Sequence, residues 1–143
     1  MRWRARPAWL VAVVALAVVP GVRGQQWSRT IRRGSADEGM CVRQTSDGGV
    51  VLAGVQWGGT SRAGLVVKLD AAGEVSWQKS YDGWGEERAD AIEQTSDGGF
   101  IVVGMTSSFG AGGDDAWVLR LDGAGDVLWQ RTYGGTGRDS ANA

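Results

Sequence analysis

Two copies of one pattern make up most of this chain. The hexapeptide Gln-Thr-Ser-Asp-Gly-Gly begins at Gln44 and again at Gln94, and seven of the eleven positions that follow from each start are identical. A second pattern begins at Leu65 and returns at Trp117, with ten identities in nineteen positions. The first pattern recurs after 50 residues and the second after 52, so the connection between them is two residues longer in the second copy. A repeat of this length constrains the fold strongly, because each copy must be one supersecondary unit that stacks on its neighbours.

Within each copy, the apolar residues form short clusters separated by Gly, Asp and Ser, with no helical period. This pattern predicts short strands joined by tight turns. Asp47-Gly48 is expected to supply the positive φ angles of a hairpin, and Asp70 is expected to bond back to the backbone of a second turn that Gly73 closes. Each copy is therefore predicted to be a four-stranded up-and-down meander. The predicted strands are 40–45, 50–56, 65–70 and 74–81 in the first copy, and 89–95, 100–106, 116–122 and 126–133 in the second.

Four strands in a repeat of about 50 residues are typical of a β-propeller blade. The predicted fold class is all-β, with tandem four-stranded antiparallel meander repeats as the blades of an incomplete propeller. Three tryptophans in register, Trp27, Trp77 and Trp129, are expected to fill the gaps between neighbouring sheets. The repeats are placed at 25–76 and 77–128, with a truncated third copy starting at 129–143. Because propellers have about 4 to 8 blades, we expect either a fragment of a longer protein, which is preferred, or assembly with other copies.

The N-terminal segment has the pattern of an export signal. Three arginines precede the unbroken apolar run 8–19, and small or short residues surround a cleavage site expected after Gly24. Twelve apolar residues are too few for a helix that crosses a bilayer, which needs roughly 20. We therefore predict a signal peptide over residues 1–24 and an extracellular, cell-surface or periplasmic protein that meets the membrane only during export.

Composition excludes several classes of function. Without residues 1–24, the chain has 11 basic and 16 acidic side chains, a net charge of −5, and no basic cluster beyond Arg29, Arg32 and Arg33, so no nucleic-acid partner is expected. The chain has no histidine, which excludes histidine-based catalysis and histidine metal sites. Its single cysteine, Cys41, is interpreted as a small buried apolar residue of a strand, with a reactive thiol or an intermolecular disulfide as alternatives.

Taken together, the segments TSDGGFIVVGMTS and DAWVLRLDGAGDVLWQRTYGG resemble the tandem repeats of exported bacterial and archaeal β-propeller proteins. The resemblance covers nearly all of the chain after the predicted leader. LDGAGDVLWQ is also similar to the tryptophan repeats of quinoprotein dehydrogenases and outer-membrane assembly propellers. The resemblance implies fold and location rather than activity, since proteins with this repeat are mostly surface or secreted proteins.

The acidic residues give no firm prediction of a catalytic site, a cofactor or a metal. The pairs Asp122/Asp126 and Asp70/Glu74 stand where hairpin turns need Asp and Gly, and the adjacent Asp114 and Asp115 are interpreted as features of a surface loop rather than calcium ligands. Three further acids lie in one connection, but their proximity does not establish the geometry of a glycosidase: Glu86, Glu87 and Asp90. The glycines at 110–113 lack the flanking elements of a phosphate-binding loop.

The two copies differ most in the segments 55–64 and 105–116. Loops that vary over a constant scaffold commonly carry binding surfaces. We predict contacts with an unknown protein or glycan partner through five residues of these loops: Trp57, Arg62, Phe109, Asp114 and Asp115. The predicted function is a non-enzymatic binding or structural module. The alternative is a fragment of a secreted or periplasmic enzyme, quinoprotein-like or polysaccharide-active, whose catalytic residues lie outside this chain.

Overall fold

The structure of the chain is a computed structural model that describes residues 11–15, 27–31, 36–58 and 61–139. These residues form strands, turns and bends without a helix, so the described ranges hold no helix that could cross a membrane. The strands are β1 (Val11–Ala15), β2 (Trp27–Ile31), β3 (Ala36–Gln44), β4 (Val50–Gly58), β5 (Ser61–Leu69), β6 (Val75–Tyr81), β7 (Glu87–Gln94), β8 (Phe100–Thr106), β9 (Asp115–Leu121) and β10 (Val127–Tyr133).

Two four-stranded antiparallel sheets form the body of the structure. Their strand orders are β3-β4-β5-β6 and β7-β8-β9-β10, so sequential strands are neighbours throughout and each sheet is a meander. The all-β fold and the meander predicted from the repeat are therefore confirmed. The observed strand bounds agree with the predicted ones within two residues, except that β3 and β5 each begin four residues earlier than predicted. Neither sheet closes on itself.

The first sheet ends at Tyr81 and the second begins at Glu87, with the link 82–86 between them. The repeat boundaries predicted at residues 76 and 128 thus fall at the starts of β6 and β10, not between sheets. A period gives the length of a repeat, but it does not show at which strand the sheet begins. The strand predicted around Trp129 belongs to the second sheet, and only the turn that follows Tyr133 begins a third copy.

A separate two-stranded ribbon joins β1 to β2 with antiparallel pairing. β1 lies inside the predicted signal peptide, whereas the expected cleavage site after Gly24 and the end of the third copy, residues 140–143, lie outside the described residues. Export stays a prediction.

The repeated turns follow the chemistry of their Asp and Gly residues. The backbone N–H of Ala72 and that of Glu74 each donate to Asp70 Oδ1 at 2.9 Å, and Gly73 has a φ of 80°. At the other turn, Gly48 has a positive φ, also 80°, whereas the φ of Asp47 is negative. The sequence had suggested a turn in which both Asp47 and Gly48 have positive φ. This prediction is wrong for Asp47. The turn closes with a hydrogen bond from the N–H of Gly49 to Asp47 Oδ1 at 3.0 Å.

Asp47 also ties its turn to β5. The buried ammonium of Lys68 donates to Asp47 Oδ2 at 2.8 Å, and the Thr45 hydroxyl donates to the other oxygen. These hydrogen bonds, first that from Lys68 and next that from Thr45, lower the pKa of Asp47 to about 2. A carboxyl group with a pKa below its unfolded value stabilises the fold above that value and loses the contribution as pH falls through the folded pKa.

Asp47→Asn is therefore expected to lower the free energy of unfolding at pH 7, with a difference from wild type that shrinks as pH falls from about 5 to about 2. Urea unfolding of both proteins across this range measures the effect. Asp82→Asn is the control, because the exposed Asp82 accepts no hydrogen bond from the described residues. A difference for Asp47→Asn that does not depend on pH would contradict this explanation.

One core joins the two sheets. β7 of the second sheet contacts β3, β4 and β5 of the first. One face of each sheet supplies the buried side chains of this shared core, which are Val51, Ala53, Val66, Tyr81, Ala89, Ile92, Phe100, Val102, Trp117, Leu119 and Leu121. Cys41 is a strand residue that packs against this core, as predicted, but its free thiol is half-buried rather than buried. The opposite face of the first sheet holds a second buried cluster, formed by Val50, Leu52, Leu65, Val67 and Leu69.

Three residues of β6 reach the turn between β9 and β10. The indole N–H of Trp77 donates to Gly123 O at 3.0 Å, and the hydroxyl of Tyr81 donates to Gly125 O at 2.7 Å. Between them, the ammonium of Lys79 pairs with Asp126 Oδ1 at 2.5 Å. The Trp77 ring also meets Phe100 edge-on, with 5.8 Å between ring centroids. We call the face of the first sheet that carries Trp77, Lys79 and Tyr81 its stacking face. The predicted inter-sheet position of Trp77 is confirmed.

The second sheet has the same stacking face, but it is open. Trp129 pairs with Arg120 across β9 and β10 as Trp77 pairs with Lys68 across β5 and β6. Trp129 is 44% exposed, and Tyr133 at the counterpart of Tyr81 is 56% exposed. The prediction that Trp129 fills a gap between sheets is thus not met by the described residues, and the side chain of Trp27 lies outside what the structure describes.

Candidate functional site

Three connections meet at one end of the two sheets. They are the β4–β5 hairpin, the link 82–86 and the loop 107–114 that joins β8 to β9. We call this end the link-end surface and define it by Trp57, Arg62, Trp84, Glu86 and Phe109. Two of the three connections, the hairpin and the loop, are the segments in which the two copies of the repeat differ.

Trp57 and Arg62 lie opposite each other at the tip of the first hairpin. They are Cα partners in the β4–β5 ladder, and the Arg62 guanidinium lies 3.9 Å from the centroid of the Trp57 ring. A guanidinium over an indole face is an attractive cation–π arrangement. The structure therefore brings these two predicted contact residues together, and it leaves 36% of Trp57 exposed.

The link 82–86 is fixed to the loop beyond β8 by its own polar atoms. The N–H groups of Gly85 and Glu86 donate to the hydroxyls of Ser108 and Ser107, each at 2.7 Å. The Trp84 indole N–H donates to Ser108 O at 2.6 Å, although the side chain is 88% exposed. With its one polar atom bonded, Trp84 presents a flat apolar ring in a fixed position to solvent.

Charge connects the link to the hairpin. Arg62 lies 3.7 Å from Glu86 Oε2, so its guanidinium bridges Trp57 and the link. Both side chains are partly exposed, and exposed pairs of this kind contribute little to stability. The geometric consequence is that one cation, one carboxylate and two indole rings are gathered at the same end of the molecule.

Glu87 is a structural anchor rather than a free acid. It is fully buried, and its two oxygens accept hydrogen bonds from the N–H of Gly83 at 2.8 Å and from the Thr106 hydroxyl at 2.9 Å. Asp90, the third acid considered for a glycosidase, forms a two-bond pair with Arg88. With Glu86 beside Arg62, each of the three carboxylates has a partner, and the arrangement offers no pair of free acids for glycoside hydrolysis.

Phe109 belongs to the link-end surface and also lines a groove on the flank of the molecule. Its ring is half-buried and stacks on Trp117, with 6.5 Å between centroids and 23° between planes. The groove has a volume of about 250 Å³ and is lined by Phe109, Trp117, Leu119, Ser80, Tyr81, Asp82, Val127 and Gln130. Burial, followed by the nearby Asp126 and Asp122, raises the pKa of Tyr81, which therefore stays protonated and donates to Gly125 O.

The adjacent acids Asp114 and Asp115 have different surroundings. Asp114 is half-buried, lies 3.5 Å from the Arg138 guanidinium and accepts the N–H of Asp139 at its backbone oxygen. Asp115 begins β9 and is only 1% exposed, so it is a buried strand residue and not part of a surface loop. Among the described residues, no group of three or more Cys, Asp or Glu side chains is close enough to hold a metal.

Trp84 is the prominent exposed residue that the sequence reasoning missed. Its counterpart in the next copy is Thr136, so the repeat does not require an aromatic residue there. The sequence did contain a signal for Trp84, because a large apolar residue stands at a position where the other copy of the repeat has a small polar one.

The chain was compared with protein-family models, with curated proteins and with solved structures. No protein-family model matches it, and no curated protein matches it. A solved structure that resembles it is the crystal structure, at 1.35 Å resolution, of a protein of unknown function from Bacteroides caccae. The TM-score is 0.47 at 20% sequence identity, and the match covers 82% of this chain and 39% of the other. The chain thus spans about two fifths of the length of that neighbour, which assigns it no function.

Proposed function

We propose that this chain is an exported repeat protein built from β-propeller blades, and that it is a non-enzymatic module that binds a glycan through the link-end surface. The observation that carries the glycan part is the state of Trp84. Its indole N–H is bonded to the backbone, and its ring is held open to solvent.

A fixed, exposed indole suits a sugar ring. One face of a pyranose presents C–H groups that pack flat against an aromatic ring, while the sugar hydroxyls need acceptors at the rim. Asp82 and Glu86 flank Trp84 in sequence and have exposed carboxylates.

The open stacking face supports the propeller part of the proposal. Trp129, Arg131 and Tyr133 repeat the types and positions of the residues that hold the first sheet to the second. The turn after Tyr133 also repeats its counterpart, because the N–H of Gly135 donates to Asp139 Oδ2 at 2.9 Å as that of Gly83 donates to Glu87 Oε2 at 2.8 Å. Sheets that stack head to tail in this way, each with a slight rotation, generate the ring of a propeller.

Trp84→Ala is expected to weaken polysaccharide binding at least about tenfold, the effect of losing roughly 1.4 kcal/mol of stacking, while Trp84→Phe retains part of it. Affinity electrophoresis against a panel of soluble neutral polysaccharides measures the change. Trp129→Ala is the matched control, because it removes another exposed tryptophan away from the link-end surface.

If no polysaccharide in the panel retards the wild-type chain, the glycan proposal is wrong. It is equally wrong if Trp84→Ala and Trp129→Ala weaken binding to the same extent.

A further inference from the structure

Asp115 is a buried carboxylate that no group of the described residues satisfies. It is 1% exposed, and within the part of the chain that the structure describes neither Oδ1 nor Oδ2 has a hydrogen-bond partner. The carboxylate is wedged between two glycines, since a Cβ placed on Gly110 would overlap its Oδ2 and one on Gly134 would overlap its Oδ1. Only residues without a side chain fit at these two positions.

An isolated charge in such a place is strongly unfavourable. Transfer of an ionised carboxylate from water into a protein interior costs several kcal/mol even after relaxation, unless a charge of opposite sign is beside it. Buried carboxylates that keep their charge in folded proteins are therefore paired with a cation or coordinate a metal. The basic side chain of this region, Arg138, lies beside Asp114 and is 88% exposed.

A second carboxylate converges on the same point. The Cβ position of Gly134 that Asp115 Oδ1 occupies is also 2.9 Å from Asp139 Oδ2. The carboxylates of Asp115 and Asp139 thus approach the same point, and neither forms an ion pair with a basic side chain among the described residues. A divalent cation has the charge that this arrangement lacks.

The surrounding backbone is rich in glycine on both sides. The loop 107–114 meets the turn 134–139, where the N–H of Asp139 donates to Asp114 O at 2.6 Å and the Cβ position of Gly113 is 3.0 Å from Gly137 O. Glycine-rich loops expose carbonyl oxygens, which calcium accepts as ligands together with carboxylates and water. Magnesium requires a more regular octahedron and holds its water more tightly.

We propose that Asp115 and Asp139, with backbone carbonyls of these two loops and water, bind one calcium ion. Because the described side chains supply fewer than three ligating residues, the affinity belongs to the range of extracellular calcium modules, with Kd of about 10⁻⁴ to 10⁻³ M. The site is peculiar to the second repeat. The counterpart of Asp115 in the first copy is Ala63, and the loop before it is two residues shorter there.

The test is thermal unfolding of the full chain in chelator and across a titration of calcium chloride at constant ionic strength. Calcium is expected to raise Tm by several degrees, with a midpoint near millimolar calcium, and magnesium chloride at equal concentration is expected to have a much smaller effect. Asp115→Asn is expected to remove the calcium-dependent rise, and in chelator this variant melts at or above the wild-type temperature, because it lacks the unpaired charge.

Two further variants complete the design. Asp139→Asn is expected to shift the calcium midpoint about tenfold higher, whereas Asp114→Asn, which disrupts only the exposed pair with Arg138, leaves most of the rise in Tm. The proposal is overturned if the wild-type Tm does not respond to calcium, if magnesium acts equally well, or if Asp115→Asn retains the full response. Because Trp84 is not part of this site, polysaccharide binding can fail while calcium binding holds, and the reverse.

Discussion

Replacement of Trp77 by alanine is expected to lower the free energy of unfolding by about 3 kcal/mol, the lower end of the range for aromatic core truncations. The ring packs against Phe100 in the shared core, and its N–H bonds Gly123 O across the two sheets. The substitution removes apolar contact on both sides of the interface and leaves a carbonyl without its donor. Urea unfolding at pH 7 measures the loss.

Trp129→Ala is the matched control for this prediction. Trp129 has the same place in its own sheet, but it is 44% exposed, and no other sheet of the described residues packs against it. Its replacement is expected to change the free energy of unfolding by less than about 1 kcal/mol. Equal losses for the two variants would show that stacking of the sheets does not distinguish these positions.

A side chain at Gly104 is expected to be nearly as damaging. The register of β7 against β8 shifts between Ala89 and Ala91, and Gly104 lies opposite this bulge. A Cβ on Gly104 would overlap Arg88 O and lie 3.1 Å from the Cα of Ala89, so the obstacle is backbone and not a flexible side chain. Gly104→Ala is therefore expected to cost about 3 kcal/mol, the upper part of the usual range for overpacking.

Gly58→Ala provides the comparison within another strand. An added Cβ there meets no atom of the described residues within 4 Å, so the expected change is within about 0.5 kcal/mol. Thermal and urea unfolding of both variants distinguish the two positions. A small effect at Gly104 would mean that the bulge can move away from the added methyl group. The first sheet has an equivalent bulge between Gly39 and Cys41 of β3, and Gly54 of β4 lies opposite it.

The features that repeat in the sequence were the ones that could be predicted. Strand positions, the glycine of each turn and the contact made by Trp77 all follow from local rules that act twice, so each copy supports the other. The turn at Asp47 was predicted less well. A dipeptide of Asp and Gly is compatible with several hairpin geometries, and the hydrogen bonds from Thr45 and Lys68 select the observed one.

The features that do not repeat depended on tertiary placement. Asp115 looked like a loop residue because polar and small residues surround it, yet the strand begins there and packing of two glycine-rich segments buries it. Trp84 stands in a polar link, and its orientation follows from a hydrogen bond to Ser108 that no sequence pattern indicates. Trp57 and Arg62 were both predicted as contact residues of a loop. Their contact with each other was not predicted, because it depends on the register of β4 and β5.

The central claim is that the two sheets are units that stack on one another in the same way. It is tested most directly by adding a third sheet next to the open stacking face of the second sheet. A chain in which residues 82–133 are repeated once after Tyr133 would present to Trp129, Arg131 and Tyr133 the same turn that Trp77, Lys79 and Tyr81 contact in this structure. In that longer chain, Trp129→Ala is expected to cost about 3 kcal/mol, as Trp77→Ala does. If the cost stays below about 1 kcal/mol while the added unit is folded, the open face is not a stacking face and the units are not blades of one propeller.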